Sequence, residues 1–392
     1  MNILYTLTTY PPAIGGAQLH QHILAQNLKN NHQIQVITHW NENRTDWLLG
    51  TTINAPSSEL KYTIDGIDVH RLGFSLTEKL KLFPSVLIYY FLMDTALASI
   101  TPNLIKHLKP YAQQGDLIHN VRIGREGLSY ASYQVAKEHD IPFVFTPVHH
   151  PRWVGWRYRS YIKLYQLADG VICLTNVEKQ TLVKLGVQED KITVTGIGPI
   201  FTETANPISF KKKHQIDEPI VLFLGQHYPY KGYQQLLQAT KLVWEKIPET
   251  NFIFIGPSVA NSEKYFQEFQ DKRIYRLGMV NLQEKTDALA ACSLLCVPSS
   301  QESFGGVYTE AWSFAKPVMG CDIPAVAEVI SNGLDGYLVQ QNPQEIADAI
   351  CQLLLNPSQA QKMGEAGENK VKQHFTWQKL AEKTEQFYQK LL

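Results

Sequence analysis

The run Pro298-Ser299-Ser300-Gln301-Glu302-Ser303-Phe304-Gly305-Gly306-Val307-Tyr308-Thr309-Glu310-Ala311-Trp312 sets two carboxylates eight residues apart around a glycine pair. It follows an apolar stretch and opens a helical one. The carboxyl end of a strand leading into a helix N-terminus is where open α/β sheets hold anionic ligands. Gly305 and Gly306 remove side chains where backbone N–H groups would meet a phosphate. Glu302 precedes the helix and suits a neutral polar partner such as a sugar hydroxyl. Glu310 is expected about two turns into the helix, toward a second part of an extended ligand. Either glutamate alone reads as an acidic helix start; the whole run, placed after a strand, reads as a ligand site.

Two further loops follow apolar strands. In Phe223-Leu224-Gly225-Gln226-His227-Tyr228-Pro229-Tyr230-Lys231-Gly232 the lysine lies close to a helix start, where a cation is disfavoured unless an anion offsets it. A bound phosphate would be that anion, although an isolated Lys-Gly pair is more often solvated surface. Tyr10-Pro11-Pro12-Ala13-Ile14-Gly15-Gly16-Ala17 also ends in a glycine pair. It does not match G-x-G-x-x-G, and no acidic residue stands where a dinucleotide ribose would need one. With Glu302, the three loops suit a nucleotide diphosphate carrying a neutral sugar. No Asp-x-Asp motif and no His-rich or Cys-rich cluster is present, so no metal is expected. Lys231 and helix N-termini would then meet the leaving charge.

The segment His149-His150-Pro151-Arg152-Trp153-Val154-Gly155-Trp156-Arg157-Tyr158-Arg159-Ser160-Tyr161-Ile162-Lys163 interleaves basic and aromatic residues without an acid. That pattern suits stacking on sugar rings or a seat at bilayer headgroups, and equally a helix packing its aromatics inward. His149 and Arg152 are its candidates for acceptor or phosphate contacts. The apolar run Leu82–Met93, preceded by Lys79 and Lys81, offers an interfacial helix for the same anionic membrane.

The elements that must position these residues alternate. Strands are expected at Asn2–Thr8, Gln33–His39, Leu117–His119, Phe143–Pro147, Gly170–Leu174 and Ile192–Thr195. In the second half they are expected at Val221–Leu224, Phe252–Ile255, Leu294–Pro298, Pro317–Met319 and Tyr337–Val339, with amphipathic stretches between. Several are apolar at every position, as in parallel sheets covered on both faces. The reading is α/β, with two Rossmann-like doubly wound domains facing a cleft. We place the domains at 1–198 and 219–375, with a linker at 199–218 and a last helix, 376–392, returning to the first domain.

A chain of 392 residues with 44% hydrophobic and 18% charged residues suits two such domains and excludes disorder. The 36 basic and 36 acidic residues cancel, which disfavours nucleic acid as a partner. Five scattered cysteines and a start without a secretory pattern suit the cytoplasm. The longest apolar stretch is too short to span a bilayer.

Glu302 and Glu310 with Phe304-Gly305 between them resemble the signature of family 4 retaining glycosyltransferases of GT-B fold. The resemblance extends over Gly15-Gly16-Ala17-Gln18, the Gly225–Gly232 loop, Lys316-Pro317-Val318, Gly336-Tyr337-Leu338-Val339 and Phe375-Thr376-Trp377. It implies a nucleotide sugar of UDP or GDP type as co-substrate, without a metal or other cofactor, and a saccharide or lipid-linked acceptor. By the same resemblance Glu302 contacts the transferred sugar, lined by Phe304, Gly305 and Gly306. Val307 N–H and Lys231 hold the diphosphate, Glu310 the ribose, Met279 and Val280 the base, while Gly16 approaches the phosphates. Two positions depart from the family. Gln226 replaces a frequent arginine, and His119-Asn120-Val121-Arg122 holds one histidine of a usual His-x-His pair. His119 and Arg122 remain candidates for acceptor or phosphate contacts. A sugar-nucleotide epimerase, or a non-catalytic sugar-nucleotide binder, is the alternative.

Overall fold

The structure, a computed structural model, describes all residues except 14, 41, 43–46, 122–126, 150–152, 154, 217, 218 and 260, and the side chains of 47 and 157. The chain divides into two units, Met1–Gly196 with Trp377–Leu392, and Ile197–Thr376.

The first unit carries β1 (Asn2–Thr6), β2 (Gln33–Thr38), β3 (Leu60–Ile64), β4 (Ile67–Arg71), β5 (Leu117–Val121), β6 (Phe143–Thr146), β7 (Gly170–Cys173) and β8 (Ile192–Val194). They pair in the order β3-β4-β2-β1-β5-β6-β7-β8. Only β3 runs antiparallel, to β4. That hairpin was missed from sequence, although Asp65-Gly66, both at positive φ, is a strong hairpin-turn signal. Successive residues point to opposite faces, so β1 sends Leu4 into one core with Ile118, Phe143 and Phe145. It sends Ile3 and Tyr5 into another with Leu24, Leu28, Phe387 and Tyr388. The second core is closed by the helix Trp377–Leu391, whose Phe387 and Leu391 reach so close to Gly170 that a Cβ there would meet them below 3 Å.

The second unit carries β9 (Ile220–Leu224), β10 (Asn251–Ile255), β11 (Ile274–Gly278), β12 (Leu294–Val297), β13 (Val318–Cys321) and β14 (Gly336–Val339). Their order is β11-β10-β9-β12-β13-β14, all parallel. The order therefore reverses between β9 and β12, and the loops leaving these two strands flank the crevice where doubly wound sheets take ligands. β9, β10, β12 and β13 are buried throughout. β11 was not foreseen, because an edge strand reading Ile-Tyr-Arg-Leu-Gly is only half-buried and lacks the apolar signal of its neighbours.

Residues 199–218 are not a free linker. Asn206 caps a helix Pro207–His214, which packs on the helix Leu282–Ala291 through Lys213 and His214 to Glu284. Pro at the first helical position was the available start signal. One buried residue, Phe210, left no apolar period to see.

Candidate functional site

The second unit's site is built by laying one loop against another. After β9 the chain makes a short turn, Pro229–Lys231, and ends it at Gly232 with φ +81°. A Cβ at Gly232 would lie 2.4 Å from the Pro298 carbonyl oxygen, so only glycine lets this loop touch the one after β12. Ser300 N–H donates to Tyr230 O at 2.8 Å. From the loop after β14, Gln341 Nε2 donates to both Tyr230 O and Pro298 O, each at 2.8 Å. One amide thereby ties the two loops together.

That contact brings Lys231 Nζ to 2.5 Å from Glu302 Oε1. The side chains retain 21% and 12% of their exposure, enough to meet a ligand while much of their water is removed. The pair offers a cationic donor beside a carboxylate acceptor, which suits a phosphate next to a hydroxyl-bearing ring. Gln226 is half-buried in the same loop.

Beyond Glu302, Phe304 is buried with its ring edge-on to Phe375 at 5.3 Å, so its side chain serves the core rather than a ligand. Gly305, at φ +85°, turns the chain into the helix Gly306–Trp312; a Cβ there would strike the Tyr308 ring at 2.3 Å. The Tyr308 hydroxyl donates to Val297 O and fixes that helix to the end of β12. The first amides of a helix, here those of Gly306 and Val307, lack intrahelical acceptors.

Glu310 was expected two turns into its helix. It sits just over one turn in, because the helix begins only at Gly306. It is buried, and Lys285 Nζ donates to its Oε1 at 2.7 Å. Burial pushes its carboxyl above the ordinary range, and Lys285 opposes that shift. Its Oε2 has no partner among the described residues. Sequence reasoning missed Lys285, which lies mid-helix in Leu282–Ala291 without a local signal. The same helix is capped by Asn281, directly after exposed Met279 and half-buried Val280 at the end of β11.

In the first unit, Gly15 caps the helix Gly16–Leu28 at the carboxyl end of β1, and Gly16 is exposed. The loop before it is braced by His22, whose ring nitrogens lie 2.9 Å from the Tyr10 hydroxyl and 2.9 Å from Asp65. His119 must be corrected as a ligand candidate. It is 1% exposed, with Nδ1 2.5 Å from the Tyr388 hydroxyl and Nε2 2.7 Å from Thr146 Oγ1. Burial holds its pKa down at about 3, and both ring nitrogens serve the core.

His149 is corrected because its ring is packed inside the first unit, with Nδ1 3.3 Å from the Tyr165 hydroxyl. It is buried, its ring is edge-on to Tyr165, and its backbone N–H donates to Glu178 Oε1 at 2.5 Å. Glu178 also accepts from Leu174 N–H at 2.8 Å, and burial raises its carboxyl to about 7. Arg122 and Arg152 lie outside the described residues.

A family model for group 1 glycosyl transferases matches residues 205–370. A second, for glycosyltransferase family 4, matches residues 14–198. The chain belongs to the family 4, group 1 glycosyltransferases. It is 29% identical over 173 residues to an uncharacterized glycosyltransferase of Methanocaldococcus jannaschii, covering 43% of this chain and 48% of that one. It is 28% identical over 244 residues to a D-inositol 3-phosphate glycosyltransferase of Corynebacterium aurimucosum, covering 58% of each. The chain thus spans about half the length of these curated relatives. Among solved structures, the Anabaena protein HepE in complex with UDP and glucose superposes with a TM-score of 0.74 at 17% identity, covering 100% of both chains. The fold of this family member is GT-B. Among the described residues no helix is long and apolar enough to cross a membrane.

Proposed function

We propose that this glycosyltransferase moves a sugar from a UDP- or GDP-type donor to a saccharide or lipid-linked acceptor, with retention of anomeric configuration. The Lys231–Glu302 pair at the strand-order reversal carries the reading. There Lys231 and the half-buried Gln226 stand in the loop leaving β9 and the first amides of the helix Gly306–Trp312 follow β12, a donor set that suits a diphosphate, while Glu302, paired with Lys231, suits a sugar hydroxyl. Glu310, held by Lys285 but with Oε2 unpartnered, is available to ribose hydroxyls. The UDP and glucose bound to HepE support the donor class by likeness of fold.

In this reaction the bond from the anomeric carbon to the diphosphate breaks as positive charge develops on the sugar. The departing phosphate oxygen takes the acceptor hydroxyl proton while that hydroxyl attacks from the same face. Lys231 and the helix amides stabilise the departing charge, so the step asks for no metal and no protein nucleophile. The family, not the geometry, supplies the stereochemistry. Family likeness supports assigning the acceptor to the first unit, and a membrane-borne acceptor would make the enzyme peripheral to the cytoplasmic face.

A panel of UDP- and GDP-sugars, assayed for nucleotide release with and without cell extract, tests the reading. Release that extract stimulates supports transfer. An isomerised sugar nucleotide without release would instead assign the fold to an epimerase. The anomeric proton coupling of the isolated product decides retention.

A further inference from the structure

One helix of the first unit carries two apolar faces where packing uses one. Helix Leu76–Ile88 starts from a capping box, Ser75 with Glu78, and turns Leu82 and Ser85 inward. Tyr89 and Met93, just past its end, are buried too. On the opposite side Leu76, Leu80, Phe83 and Leu87 recur at i, i+4, i+7 and i+11, and all are exposed, Leu76 at 73%. The next turn exposes three consecutive residues, Tyr90, Phe91 and Leu92, with Phe91 at 81%. Scattered apolar residues on a surface need no explanation, but seven on one helix face and its turn do.

The border of this face is basic and aromatic. Asp94, the second residue of the next helix Met93–Ala112, faces Arg159 at 3.8 Å. The Arg159 guanidinium lies 4.9 Å over the ring of Trp156, itself 54% exposed. Lys81 and Lys163 are exposed and make no ion pair among the described residues. Within the segment from His149 to Lys163 the described aromatics differ in exposure. Tyr161 is buried, Trp153 and Tyr158 are half-buried, and Trp156 is its exposed aromatic.

We propose that the face formed by Leu76, Leu80, Phe83, Leu87 and the turn Tyr90-Phe91-Leu92 is a docking surface for an anionic bilayer. Thirteen helical residues are far too few to span a membrane, so the helix lies along the interface. Tyr90 and Trp156 each join an apolar ring to a polar handle, the composition favoured at headgroup depth. Lys81, Arg159 and Lys163 select anionic lipid. They also disfavour a second copy as the occupant, because a two-fold pairing of this face would set these cations against their own copies. The inference rests on the proposed function only for the idea of a membrane-borne acceptor; binding to the bilayer stands or falls separately.

The test is co-sedimentation of the full chain with phosphatidylcholine vesicles, with and without phosphatidylglycerol. Pelleting with the anionic vesicles, falling as salt rises, is expected. Phe83→Ser with Phe91→Ser should lower the partition coefficient roughly tenfold or more, through lost apolar contact. The melting temperature should be unchanged, because both side chains are exposed. Lys81→Glu with Lys163→Glu should weaken binding and flatten its salt dependence. No pelleting at low salt, or pelleting indifferent to the serine pair, overturns the proposal. So does a concentration-dependent dimer that the serine pair dissociates, which would give the face to a second copy. Nucleotide release from donor sugars with cell extract as the acceptor source, measured without vesicles, is the independent readout. Its absence would refute the transferase reading and leave the docking result intact.

Discussion

The carboxyl edges of the two sheets are built from the same strand–loop–helix units, yet they use their polar residues in opposite ways. At the ends of β1, β5 and β6 in the first sheet, described polar atoms satisfy one another. Asn120 Nδ2 donates to Thr6 O and Thr6 Oγ1, Ser129 donates to Asn120 Oδ1, and His119 bridges Tyr388 and Thr146. At the edge of the second sheet Lys231 and Glu302 pair while partly open, and Glu310 Oε2 makes no hydrogen bond among the described residues. Buried polar groups must be paired, so what packing consumes is lost to ligands. A strand end becomes a ligand site where charge is left over.

The sharpest way to break this comparison is at Lys231. Lys231→Ala removes a charged donor aimed at the departing diphosphate and should slow transfer on the order of a hundred- to a thousandfold, or about 2.7–4 kcal/mol. Glu302→Gln, nearly isosteric, should also depress transfer strongly while the melting curve stays in place. By contrast His119→Gln, at the first sheet's edge, should lower the melting temperature rather than the specific activity of the folded enzyme. Wild-type turnover in both second-unit variants would remove the site from this edge.

Gln341→Ala tests whether the loops are held as well as furnished. Two carbonyls, Tyr230 O and Pro298 O, lose their shared donor, at about 1–3 kcal/mol. Donor turnover should fall roughly tenfold through displacement of Lys231 and Glu302. Unchanged kinetics would show that the Gly232 contact and the Ser300 N–H bond to Tyr230 O set the geometry without it.

A smaller effect concerns acid. Burial holds His119 at about 3, and His39 and His227 at about 4, against 6.5 for the free side chain. Between those values only the unfolded chain binds the proton. The contribution is therefore full above pH 6.5 and lost as pH falls, by about 1.4 kcal/mol per pH unit for each histidine. His227, whose ring nitrogens lack partners among Phe223, Tyr233 and Phe266, is the one to replace. His227→Leu should shallow the loss of melting temperature between pH 6.5 and 4.5. An equally steep acid limb would contradict the assignment. The least change is expected from chelation: transfer should persist in excess EDTA, and a loss restored by magnesium or manganese would end the metal-free reading.

The sequence by itself determined the alternation of strands and helices, because β9, β10, β12 and β13 are apolar at nearly every position and could be seen without their neighbours. It also placed Glu302, Gly305, Gly306 and Lys231 in loops following strands, since glycine pairs and charges stand out against apolar runs. It could not see the half-buried edge strand β11 or the Lys285 partner of Glu310, whose signals are shared among segments far apart in the chain. Tertiary structure alone decided which polar residues remain free. His119 and His149 look like ligands in sequence and are core residues in the fold, because the Tyr388 hydroxyl at the His119 ring comes from 269 residues away and the His149 ring is buried against Tyr165, 16 residues away. Local sequence fixes where a side chain can stand along a strand; only packing fixes whether its hydrogen-bonding capacity has already been taken.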